Sequence, residues 1–366
     1  MTMNAGNLDD GVAATGVARA HGGAVNAQAA RRIALWLIVM CGLLAAMVIV
    51  GGATRLTDSG LSITEWRPVT GAIPPLSAAD WESEFDKYKT IPEYTEVNFA
   101  MTLEEFKTIY WWEWGHRLLG RLIGLAFFIP LAFFVATRQT TRPLALKLFG
   151  LFVLGGLQGA LGWYMVSSGL VDRVDVSQYR LAAHLSLAVI LFGLMFWLVL
   201  DLWPAPKRKA PAPRLRLGAY VLAGGVFAQM MLGAFVAGLR AGRTYNTWPL
   251  MDGAFFPRGY FAGAPRFNDL FETIAAVQFN HRMGAYVVAA GAVWFWWAAR
   301  KSYAARSAAT LLAAVGAQVL LGIWTLVAGT PIWLGLAHQA GALVVFAAAL
   351  YAAHGISAPI AVKKLG

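Results

Sequence analysis

Eight apolar stretches, each about 20 residues long, punctuate this 366-residue sequence: about 33–53, 117–136, 146–166, 181–201, 216–238, 282–299, 307–328 and 334–354. At 1.5 Å rise per residue, about 20 helical residues cover the roughly 30 Å of a bilayer's hydrocarbon core. Lipid rather than water therefore sets the architecture. Composition agrees, with 58% hydrophobic and only 13% charged residues and a mean hydropathy of +0.56. A soluble domain rarely spares so few charges.

The net charge of +11 is not the footprint of a nucleic-acid binder, because the basic residues sit in short runs between spans instead of on one face. Arg31 and Arg32; Arg138, Arg142 and Lys147; Lys207, Arg208, Lys209, Arg214 and Arg216; Arg300, Lys301 and Arg306; and Lys363 and Lys364 all fall on one side of an eight-span chain. The positive-inside rule then places both termini in the cytoplasm, or in a mitochondrial matrix, and the long acidic loop outside. Residues 1–30 lack an apolar core and a cleavage pattern and are poor in arginine, so they read as a disordered cytoplasmic tail. The proline-rich basic stretch 204–215 reads as a linker dividing residues 31–203 from 216–356. The single cysteine, Cys41, excludes a disulfide framework and any cysteine-based zinc or iron–sulfur site.

The two halves resemble one another. Gln158, Gly162 and His184 in the first match Gln318, Gly322 and His338 in the second, and Gly115-His116-Arg117 at span two matches Asn280-His281-Arg282 at span six. Because each half holds an even number of spans, both keep the same orientation and a pseudo-two-fold axis along the membrane normal relates them. The expected fold is an all-α membrane protein with eight transmembrane helices, built as two tandem four-helix bundles.

Four of the six histidines, His116, His184, His281 and His338, lie near the outer ends of the even-numbered spans, two per bundle. A lone membrane histidine is usually a hydrogen-bonded core residue or a proton relay. Paired imidazoles on facing helices can instead hold a metal in a bundle, and haem iron accepts imidazole axially. Zinc or a dinuclear centre would want further ligands, yet Glu113 is the only carboxylate near these span ends. Two haems, one per half, fit best. Their propionates would need cations, for which Arg117 and Arg282 beside the histidines, and Arg55 and Arg240 at the ends of spans one and five, are the candidates. The competing reading of each is an arginine snorkelling to the interface.

Gly155, Gly156, Gly159 and Gly162 form a small-residue strip that lets a neighbouring helix, the favoured reading, or a flat macrocycle approach the backbone closely. Tyr110, Trp111, Trp112 and Trp114 read as an interfacial belt. One difference between the halves is informative: Glu113 stands three residues before His116, but Gln278 stands three before His281. On a helix that spacing shares a face. A carboxylate can move protons and an amide cannot, so chemistry is expected in the first bundle and an electron-carrying or structural haem in the second.

The segment from Gly51 to Pro75, the run Glu113-Trp114-Gly115-His116-Arg117, the stretch from Gly242 to Met251, and Asn280-His281-Arg282 together resemble the heme A synthase family, over roughly residues 30–355. The resemblance implies a respiratory-membrane oxidoreductase that turns a methyl group of heme O into the formyl group of heme A by successive hydroxylations, for cytochrome oxidase. It implies a substrate haem between His116 and His184, a heme b cofactor between His281 and His338, and Glu113 in the family's Glu-x-x-His motif handling protons. It also implies heme O synthase, oxidase assembly factors and an electron donor or acceptor as partners, in a bacterial cytoplasmic membrane or, less in keeping, a mitochondrial inner membrane. The cysteine pair of some bacterial members is missing here, so no thiol-dependent step can operate. Two other classes stay open: a di-haem b-type electron carrier that leaves its haem unmodified, and a transporter with parallel repeats. The second would want polar or broken helices at mid-membrane.

Overall fold

A computed structural model describes residues 25–203, 213–261 and 269–356. Among the described residues ten α-helices run in order: α1 Ala27–Leu56, α2 Ala78–Tyr88, α3 Leu103–Ala136, α4 Arg142–Val166, α5 Gln178–Leu202, α6 Pro213–Gly238, α7 Asp269–Glu272, α8 Ile274–Ala299, α9 Ala305–Val327 and α10 Ile332–Ile356. Among the described residues the only extended pairing is an isolated bridge between Met251 and Ala254. Seven helices, α1, α3, α4, α5, α6, α9 and α10, are long and apolar enough to cross a bilayer. The chain is a multi-pass membrane protein. The eighth expected span corresponds to the 26-residue α8, which falls short of that measure because Gln278, Asn280, His281 and Arg282 dilute its first three turns.

Two expected boundaries move. Span two begins at Leu103 instead of 117, because Thr102 and Glu105 form a reciprocal capping box that starts the helix well outside the apolar run. Span six begins at Ile274 instead of 282, with the Thr273 side chain capping Ala276 N–H. Hydropathy marks where a helix enters lipid; the cap marks where it starts. Glu113, His116, Gln278 and His281 consequently sit on regular helix. Residues 27–30 of the expected tail belong to α1, whose N-cap is Asn26. Most of the tail and of the 204–215 linker lies outside the described residues.

Helix α1 packs on α3 and α5, and α4 on α3 and α5; α6 packs on α8 and α10, and α9 on α8 and α10. Contacts of α5 with α6 and of α1 and α5 with α10 join the two rings. One apolar core runs through both, including Leu37, Leu44, Val189, Phe192, Phe295, Leu311 and Phe346. A second cluster lies under the loop from Thr57 to Thr102, where Phe85 and Tyr88 of α2 pack on Phe106 and Tyr110 of α3. That loop is therefore a folded cap on one end of the array. Helix α2 owes its start to the Ser77–Asp80 capping box.

Candidate functional site: paired imidazoles on one cavity

A cavity of about 1530 Å³ lies between the helices at the capped end, lined by all nine residues that the sequence singles out: His116, His184, His281, His338, Glu113, Arg55, Arg117, Arg240 and Arg282. It exceeds the roughly 300–1,000 Å³ of a drug-sized pocket. Among the described residues, no three His, Cys, Asp or Glu side chains converge as a metal site would require. The His281 and His338 ring centroids are 6.4 Å apart and the planes nearly perpendicular. A metal about 2 Å from one nitrogen of each ring would set the centroids roughly 6 Å apart. The pair thus suits a metal whose remaining ligands arrive with a macrocycle.

Each imidazole lies against a glycine of a neighbouring helix. A Cβ on Gly162 would come 2.9 Å from His184 Cε1, on Gly322 2.8 Å from His338 Cε1, on Gly233 3.2 Å from His281 Cε1, and on Gly51 3.0 Å from His116 Nε2. Three of the glycines have a glutamine one turn earlier. Gln158 Nε2 donates to His184 O at 3.0 Å and lies 3.2 Å from Nδ1; Gln318 does so for His338 at 2.7 and 3.1 Å, and Gln229 for His281 at 2.8 and 3.0 Å. The Oε1 of all three glutamines is buried without a partner. Each glutamine is fixed by its bond to the histidine carbonyl and so secures the helix turn that carries the imidazole. Paired rings on facing helices, at the spacing of the second pair, fit bis-imidazole haem ligation.

Glu113 is 3% exposed. Its Oε2 accepts from Ser62 Oγ and Ile63 N, both at 2.8 Å, and its Oε1 from Arg117 Nε at 3.1 Å and Nη2 at 2.6 Å. Arg117 also donates to Ile63 O and Glu65 O. The Glu113–Arg117 pair therefore staples the cap to α3. The second half repeats the arrangement without the carboxylate: Arg282 donates to Tyr245 O and Thr247 O, and Gln278 to Tyr245 O. Arg282 Nε remains buried and unpartnered. Arg55 and Arg240 meet at the junction of the rings, both on Asp175 Oδ1 at 2.7 and 2.9 Å, and Arg240 also pairs with Asp58 at 2.9 Å. Three of the four candidate arginines are thus already ion-paired.

Gln229, Ser62 and Asp175 escaped the sequence reading. Gln229 was within reach, because Gln229–Gly233 repeats the spacing of Gln158–Gly162 and Gln318–Gly322; the other two come from distant loops and carry no local signal.

Fold and site together define a multi-pass helical membrane protein in which two helix rings each present an imidazole pair to a shared cavity. The cytochrome oxidase assembly protein family matches residues 34–350. The chain is 57% identical over 325 residues to the heme A synthase of Parvibaculum lavamentivorans, covering 89% of this chain and 94% of that protein. It is 52% identical over 329 residues to that of Nitrosospira multiformis, covering 88% and 92%, and 51% identical over 328 residues to that of Maricaulis maris, covering 88% and 95%. The chain belongs to the heme A synthase family of cytochrome oxidase assembly proteins.

Proposed function

We propose that this chain converts heme O into heme A in a bacterial membrane, oxidising one methyl group of the substrate to a formyl group. The observation that carries the reading is the placement of four imidazoles, two per ring, on one cavity of a chain in this family. His116 and His184 hold the substrate, and His281 and His338 hold a resident heme b. When bound, heme b supplies an iron that carries single electrons between the first site and a partner. The domain division at residues 204–215, with the substrate bundle before it and the heme b bundle after it, follows from the same assignment. The distribution of the basic runs supports cytoplasmic termini, with the cap on the opposite face.

The chain's own groups have three tasks. The imidazoles orient the porphyrin, and glycines 51, 162, 233 and 322 leave the rings room to stand beside the backbone. The cap, stapled through Ser62 and Ile63, lines the cavity beside the first pair with Leu61 and Trp66, and its task is to shield that side from bulk water. Glu113 takes up protons released as the methyl group is oxidised, at the Oε2 now facing Ser62. Arg282, with its free Nε, is the best-placed propionate partner. Heme O synthase, oxidase assembly factors and a redox protein are the expected partners.

Extraction of the purified protein with acidified organic solvent, followed by chromatography and mass analysis of the haems, tests the reading. Heme O or heme A beside heme b supports it. Heme b alone would favour an electron carrier, and haem content unchanged by alanine at all four histidines would remove the site.

A further inference from the structure

The internal repeat exposes one break in its own pattern. Where α4, α6 and α9 carry a glutamine one turn before the glycine that faces an imidazole, α1 carries Met47 before Gly51. Met47 occupies the glutamine's place: its Cε lies 3.1 Å from where a Cβ on Gly120 of α3 would stand, as the Gln229 side chain abuts Gly284 of α8. A thioether has no N–H to donate and is a weak acceptor. Among the described residues no side chain hydrogen-bonds the His116 ring, whereas Gln158, Gln229 and Gln318 hold the other three. The His116 ring also stands differently, turning Nε2 toward Gly51 where the others turn Cε1.

A second asymmetry falls on the same bundle. The cavity continues between α3 and α4 along Leu122, Leu125, Phe128, Phe149 and Val153, apolar side chains that are all exposed. The residues at the matching positions of α8 and α9, Val287, Ala290, Val293, Ala309 and Ala313, do not line it, although Val288 does. The first bundle thus joins an unsecured imidazole to a side opening into the apolar phase. The second has two secured imidazoles and, among the described residues, no matching row of exposed apolar side chains along the cavity.

Resting on the haem assignment above, we infer that Met47 makes His116 the releasable ligand, so that substrate and product exchange at the His116 side of the first bundle through the α3–α4 opening. Met47 is a positioning residue: it acts by withholding the amide that would lock the imidazole. Its counterpart Gln229 acts in the opposite sense and keeps the second haem resident.

Haem transfer from the purified, haem-loaded full-length protein to excess apomyoglobin, with the transferred haem identified by chromatography, tests this without recourse to turnover. Wild-type protein should release heme O or heme A at least about ten-fold faster than heme b, the low end of what losing a partner of a metal-bound histidine costs. Met47→Gln should slow release from the first bundle by a similar factor, and Gln229→Met should speed release of heme b. Equal rates in the wild type, or unchanged rates in both variants, would overturn the inference. Should Met47→Gln fail to accumulate, an unchanged heme b rate in Gln229→Met overturns it alone. Pigment that survives alanine at His281 and His338, and at His116 and His184, would instead defeat the haem assignment.

Discussion

Glu113 illustrates how a residue singled out for its chemistry can also hold structure. Its carboxylate accepts from Ser62, Ile63 and Arg117 in a nearly dry setting. In Glu113→Gln the amide cannot accept at both ends, so one of these donors loses its partner, at a cost of about 1–3 kcal/mol. The variant should remain haem-bearing but accumulate heme O or a partly oxidised haem, read by chromatography of extracted haems; normal heme A would remove Glu113 from the mechanism. The glycines facing the imidazoles make a sharper steric prediction. In Gly322→Ala the new methyl meets His338 Cε1 at 2.8 Å, and displacing the ring costs about 1–3 kcal/mol. Heme b should be lost while the first-bundle haem stays, a selective loss visible in the haem composition.

The cap is the element whose stability responds to pH. Glu93, at the start of the turn Glu93–Val97, is 4% exposed, and its carboxyl accepts from Tyr88 Oη at 3.1 Å. Burial pushes its pKa up to about 8, opposed by the Tyr88 hydrogen bond and aided by the charges of Asp175, Glu113 and Asp58. An unfolded glutamate titrates near 4.3. Its contribution to cap stability is therefore complete below about pH 4 and declines as pH rises through about 8, because the unfolded chain sheds its proton first. Limited proteolysis within 57–102 should accelerate from pH 5 to pH 8 in the wild type, and Glu93→Gln should flatten that dependence. A slope that survives the substitution would place the titrating group elsewhere.

At the scale of the whole molecule, the two rings are fastened at both ends. At the capped end Arg55 of α1 and Arg240 just beyond α6 share Asp175, and Asp58 and Arg240, at matching positions after their helices, pair with each other. Both adopt left-handed backbone, φ 53° and 51°, which turns the chain sharply out of the helix. At the other end His354 of α10 meets Asp201 of α5 at 2.9 Å. Asp175→Asn removes the shared anion from two arginines that are only partly solvated, with side-chain exposures of 14% and 36%. It should cost about 1–3 kcal/mol, seen as a lower melting temperature in detergent. An unaltered melting temperature would show that helix packing between the rings, and not this ion cluster, holds them together.

Sequence alone determined the number of long helices, their order, the likeness of the two halves and the four histidines, because bilayer thickness imposes a segment length and duplication leaves matched residues at matched spacings. It could not show that Glu113 and Arg117 close on the cap, since Ser62 and Ile63 are some 50 residues away and a loop's path carries no period. Nor could it show that Arg55 and Arg240 are drawn to Asp175, since their places at the span ends leave a propionate role open to both. Helices start further out than hydropathy predicts where a polar cap precedes the apolar run, as at Thr102 and Thr273. What only the tertiary structure decided is which side chains face each imidazole. Gln158, Gln229, Gln318 and Met47 occupy matching places in four helices, but their contacts with the rings arise from packing between helices, which chain order does not record.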